Sequence, residues 1–232
     1  MPNWVKNRMF INGNDEQVEK VLNTILNDEG DVDFNKIVPM PSALDVENSS
    51  DASLGYEIIM GKASVDAKLY FAKMDKEKQD KCIELGNIYK ENLEKYGHTD
   101  WYGWRLDKWG TKWNACDTFN DGTYVEFNTA WSAPLEIYEA LAKMFPDVEI
   151  SFDWADEDSG YNVGSGNLDD GKLYYTELEG GSKEAFELYM EIWGMRICLC
   201  GMRKSKNMSM MREIGMMMNM RRSVNNTPFL YN

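Results

Sequence analysis

The chain has 232 residues, 43% hydrophobic and 12% aromatic, enough for one sizeable core and too apolar for a wholly disordered protein. Charge is uneven: residues 1–194 hold 18 Lys and Arg against 38 Asp and Glu, net −20, while residues 195–232 hold seven basic residues and one acid, net +6. A body this acidic repels phosphate backbones, which argues against direct nucleic-acid binding by the main domain and suits a protein partner with a basic surface.

Trp4–Gly13 alternates as a strand, with Val5, Asn7, Met9 and Ile11 on one side. Asn14 then caps a helix whose apolar stripe is Val18, Val21, Leu22, Ile25 and Leu26. Phe34–Pro41, broken by two prolines, reads as an extended segment, and Ser42–Ser53 as a polar, mobile loop. Residues 56–96 read as helix in two pieces, the second lined by Cys82, Leu85, Ile88, Tyr89 and Leu93.

From Trp113 the period changes to two. WNACDTF and TYVEFNTA flank Asn120-Asp121-Gly122, which is hairpin chemistry. Pro134 opens a helix carrying Leu135, Ile137, Tyr138, Leu141, Ala142 and Phe145, and Pro146 closes it. Val148, Ile150, Phe152 and Trp154 mark another strand. SGYNVGSGNLDDG reads as a glycine-rich connection to the strand LYYTELE, and GSKEAFELYMEIWG as a last helix. This order predicts an α+β fold: a ferredoxin-like antiparallel sheet with helices on one face and a helical insertion at about residues 42–100.

Four of the eight tryptophans fall within DWYGWRLDKWGTKWN, residues 100–114. Trp101, Trp104, Trp109 and Trp113, with Lys112 and the later Trp131, are the candidate binding residues. The first expectation for the strip is core packing; single-strand nucleic-acid stacking is the weaker alternative, since a stacking platform works in a basic field. The densest carboxylate cluster is Asp153, Asp156, Glu157 and Asp158, an alternative divalent-metal site for chemistry on nucleotides or nucleic acid. It lacks a basic or histidine partner. GYNVGSG lacks the GK[ST] ending of a phosphate loop and does not lead into a helix. Cys82, Cys116, Cys198 and Cys200 show no metal-ligand spacing and read as reduced thiols. The one histidine, His98, follows Gly97 at a helix end, where the helix dipole favours it. No catalytic residue and no cofactor is expected. No stretch nears the roughly 20 apolar residues of a membrane span, and MPNWVKNRMF lacks a secretory apolar region, so a cytoplasmic protein is expected.

NWVKNRMFING, IVPMP, WGTKWNA and FNTAWSAP, followed by a helix, Phe-Pro and an alternating strand, together resemble the YubB-type ferredoxin-like domain family over about residues 3–194. That resemblance implies a ferredoxin-like topology, no iron–sulfur cluster, and a protein encoded by a phage or plasmid. It carries no established chemistry and no catalytic residue. The function expected is therefore that of a non-enzymatic acidic binding protein in a bacterial host, with a DNA-mimicking, counter-defence role as its sharp form.

Residues 195–232 form a separate basic segment with nine of the sixteen methionines, expected to be disordered or frameshift-derived. Methionine is always ATG and arginine is often AGA or AGG. One base earlier, ATG-AGA yields a codon ending in AT, the ending of the Asp and Tyr codons GAT and TAT, followed by GAG for Glu, so a Met/Arg-rich tail is what a slip near Gly194 makes of an acidic, tyrosine-rich one. A stop codon soon after Gly194 in the neighbouring frame of the gene would rule that origin out.

Overall fold

The computed structural model describes residues 3–194; the basic tail, with Cys198 and Cys200, lies outside them. Strand β1 (Trp4–Asn12) leads into α1 (Asp15–Ile25) through a capping box, in which the side chains of Asn14 and Gln17 each accept the other's backbone N–H. Five helices follow: α2 (Phe34–Ile37), α3 (Ser50–Ile59), α4 (Val65–Lys73), α5 (Lys76–Tyr96) and α6 (Trp101–Lys108). The hairpin of β2 (Cys116–Asn120) and β3 (Tyr124–Ala130), α7 (Leu135–Met144), β4 (Glu149–Asp156), β5 (Val163–Asp169), β6 (Lys172–Glu177) and α8 (Lys183–Trp193) complete the fold.

The six strands form one antiparallel sheet in the order β2-β3-β1-β4-β5-β6. Its first four strands, with α1 and α7 as crossovers, make the ferredoxin-like β-α-β-β-α-β unit, and β5 and β6 extend it beyond β4. Val5, Met9 and Ile11 of β1 and Ile150, Phe152 and Trp154 of β4 share a core with Val18, Val21 and Ile25 of α1 and Ile137, Tyr138 and Leu141 of α7. The expected one-sided helical layer is thus the layer of α1 and α7. Helix α8 adds a second layer on the opposite face, where Ala185, Tyr189 and Ile192 pack on Ala155 and Val163. That face also carries Arg8, which reaches Asp153 and Glu191.

The structure corrects the reading of the insertion. Phe34–Ile37 is a helical turn rather than extended, because Asp33 caps it and Phe34 and Ile37 are buried. Ser42–Ser53 is not a polar loop throughout: a 3-10 turn at Ser42–Leu44 buries Leu44, and Ser49 caps α3. Residues 56–96 fall in three helices, not two. The buried face of α5 is Cys82, Gly86, Tyr89 and Asn92, displaced from the apolar stripe because a close helix crossing, not apolar burial alone, decides it.

At that crossing Gly55 of α3 meets Gly86 of α5. A Cβ on Gly86 would lie 2.3 Å from the Gly55 carbonyl carbon and 2.5 Å from the Tyr56 nitrogen, both backbone atoms that cannot swing aside. Gly86→Ala should therefore push the helices apart and lower stability by about 1–3 kcal/mol, measurable by urea unfolding. Glycine also explains strand β5. Gly164 and Gly166 give room to the rings of Trp154 and Phe152, which a Cβ would approach within 2.3 and 2.5 Å. The glycine-rich stretch expected to be a connection is thus a strand over which two large rings lie.

Candidate functional site

Asp100 Oδ1 accepts the Tyr102 N–H at 2.8 Å and starts α6. The helix turns Trp104 inward, and Trp109 closes it as a fully buried residue. Trp109 Nε1 donates to the Val38 carbonyl at 2.9 Å, and its ring meets Phe34 and Trp104 edge-on at 5.7 and 5.8 Å. Trp104 and Trp109 are core. Trp101 is half-buried over Arg105, whose guanidinium lies 5.0 Å from the Trp101 ring and 4.9 Å from that of Trp109. Burial between these rings lowers the Arg105 pKa, with Asp45 opposing.

The outer part of the strip does something different. Register sets Trp4 opposite Ala130, so Trp131 leaves the sheet beside the start of β1, and Trp4 packs on Trp113 with centroids 5.9 Å apart. Lys112 places its ammonium 4.7 Å from the Trp131 ring, 4.8 Å from Trp113 and 5.7 Å from Tyr102, all within cation–π range. Trp131 is 43% exposed and holds a left-handed backbone at φ 73°. For a bulky side chain that conformation costs about 1–2 kcal/mol. Its N–H donates to the Asn3 carbonyl, and its carbonyl accepts from Asn162, whose amide also reaches Asp156.

Lys112, Trp113 and Trp131 therefore come together as a cation-holding rim, while Trp104 and Trp109 are withdrawn into the core and Trp101 serves Arg105. Sequence reasoning missed Tyr102 and Trp4. Tyr102 lies inside the tryptophan strip, and the strand register that brings Trp4 beside Trp131 follows from the hairpin and the first strand.

The four carboxylates do not converge. Asp153 points to the α8 face, where Arg8 grips it with two bonds of 2.6 Å. Asp156 accepts from Asn3, the Asp158 N–H and Asn162, and Glu157 accepts the Trp4 N–H. Asp156 and Glu157 brace the end of the sheet next to the rim, and among the described residues no cluster of three metal-ligating side chains forms. Cys82 is buried; burial pushes the Cys116 thiol up to about 11, with Asp117 adding to it, so this sulfur is a neutral thiol at neutral pH. Gly97 itself closes α5, and His98 lies beyond it, its Nε2 paired with Asp107 at 3.1 Å.

The chain is thus an α+β protein with a ferredoxin-like antiparallel sheet and an aromatic, cation-holding rim at one end of that sheet. Residues 108–196 match the family described as the ferredoxin-like domain in Api92-like protein. That segment contains Lys112, Trp113 and Trp131 and leaves Trp4 and Tyr102 outside. The solved structure of the protein api92 from Yersinia pseudotuberculosis is similar at 12% identity, covering 78% of this chain and 100% of that one with a TM-score of 0.43. No curated protein matches the chain. Among the described residues, no helix is long and apolar enough to cross a membrane.

Proposed function

We propose that this chain is a non-enzymatic binding protein of a phage or plasmid, acting in the cytoplasm of a bacterial host, whose acidic surface engages a basic host or element-encoded protein. Its sharp form is a DNA mimic that counters a host defence. The carrying observation is the rim, where the exposed ring of Trp131 and the half-buried ring of Trp113 already hold an ammonium group beside the Asp156–Asp158 turn. The net charge of −20 over residues 1–194 supplies the long-range attraction. The mobile-element origin rests on the YubB-type resemblance of the sequence.

Groups that could carry catalysis have structural partners instead: Asp153 has Arg8, Asp156 has three donors, and His98 has Asp107. The strip is also a poor single-strand platform, since two of its tryptophans are buried in an acidic body. Capture from bacterial lysate on the full chain tests the proposal. Raising salt from about 0.1 to 1 M shortens the screening length from about 10 to 3 Å. A basic protein retained at the lower salt and released at the higher supports the proposal; retention that ignores salt, or none at either salt, refutes it.

A further inference from the structure

Lys112 is an unusual lysine for this body. Among the described residues some other lysines also make no ion pair, but Lys112 is the one that sets its ammonium among three rings. Two of those rings belong to the loop that carries Lys112 and to α6, before the hairpin. The third, Trp131, follows β3 and closes the far side. Trp131 is exposed, so the core does not require its ring, and its backbone sits at a φ that glycine or asparagine would adopt with less strain. Strain retained at an exposed aromatic residue is the pattern of a side chain held in place to meet a ligand.

We propose that Tyr102, Trp113 and Trp131 form a receptor box for an alkylammonium cation, filled in the free protein by Lys112, which gives way to a lysine or N-methylated lysine side chain of the partner. The inference deepens the reading of a basic partner by naming the group recognised. Aromatic faces attract cations through their quadrupoles and accept methylated ammonium groups especially well, since such groups are weakly hydrated. Lysine suits the role of a tethered occupant. Its four-carbon stem can swing the ammonium out to water, and the chain keeps it at high effective concentration beside the box. An incoming cation must therefore compete with it, so the box binds in proportion to how often Lys112 has left. The nearby acidic turn would favour the incoming charge without closing the box, because Asp156 is engaged by its three donors.

The test titrates the purified full chain with choline, a trimethylammonium ion, and with 3,3-dimethyl-1-butanol, its neutral carbon isostere, following the tryptophan indole N–H resonances. Lys112→Ala should bind choline at least tenfold more tightly than the wild type and should respond to the alcohol far less. Adding Trp131→Gly, which keeps the backbone bonds to Asn3 and Asn162 while relaxing the strain, should abolish the choline response. Trp131→Gly alone should melt within about 2 °C of the wild type, less than the 2–4 °C that about 1 kcal/mol moves a domain of this size. Choline binding that is no tighter in Lys112→Ala, an equal response to the alcohol, or a large fall in melting temperature for Trp131→Gly would each overturn the proposal. The titration needs no partner, so its outcome stands apart from the capture of a basic protein.

Discussion

Trp109→Ala should cost about 3–5 kcal/mol, the range for removing a fully buried large aromatic side chain. Trp109 is 0% exposed and ties three parts of the chain together: its ring touches Phe34 of α2 and Trp104 of α6, and its Nε1 holds the Val38 carbonyl. Truncation leaves a cavity, strands that carbonyl, and takes away one of the two rings that flank Arg105, a group already disfavoured by burial. Trp109→Phe separates the contributions. It keeps most of the packing and loses the indole hydrogen bond, so about 1–3 kcal/mol is expected. Urea unfolding of both variants checks the ranking, and a Trp109→Ala protein as stable as the wild type would show that α2 and α6 are not tied together through this ring.

Asp153→Ala should cost about 3 kcal/mol, the low end for breaking a buried ion pair, because Arg8 retains Glu191 at 3.1 Å. The side chains of Arg8 and Asp153 are only 10% and 14% exposed beneath α8. Burial disfavours the charge on Arg8, yet Asp153 and Glu191 outweigh it and raise its pKa. Burial pushes the Asp153 carboxyl up against the pull of Arg8. A carboxyl whose folded pKa exceeds its unfolded one contributes stability at pH below the ordinary carboxylate value and loses it as pH rises through the raised one. Desolvation of both groups offsets their attraction, so at neutral pH the pair adds little net stability, and the cost of Asp153→Ala comes from the guanidinium left with Glu191 alone. The double variant Arg8→Met, Asp153→Leu should regain most of the loss or exceed the wild type. Chemical denaturation of the single and double variants decides it: a double variant as unstable as Asp153→Ala would contradict this account of the pair.

Where local chemistry is strong, the fold was legible. Asn14, the Asn120-Asp121-Gly122 turn and Pro134 marked boundaries that the structure keeps, since caps and turns act through neighbouring backbone groups. Strand β5 was missed because glycine signals turns locally, whereas here Gly164 and Gly166 answer the bulk of Trp154 and Phe152 on the adjacent strand. The same limit applies to α8, whose position on the far face follows from Arg8 and Ala155 and not from its own apolar stripe. The rim was half legible. Lys112 and Trp113 are chain neighbours, but Trp131 reaches them only through the hairpin, Tyr102 through the turn after α6, and Trp4 through the β1–β3 register. The carboxylate run looked like a site because its members are close in sequence; alternation along β4 and the turn beyond it send them to different neighbours.

The most direct measurement of the central claim is the lysate capture run in parallel on the wild-type chain and Trp131→Gly at about 0.1 and 1 M salt, where the screening length differs about threefold. A basic protein held by the wild type at low salt, released at high salt and held far more weakly by Trp131→Gly is the expected result. Equal retention by the two proteins, or retention that survives high salt, would contradict an acidic surface that recognises its partner through the aromatic rim.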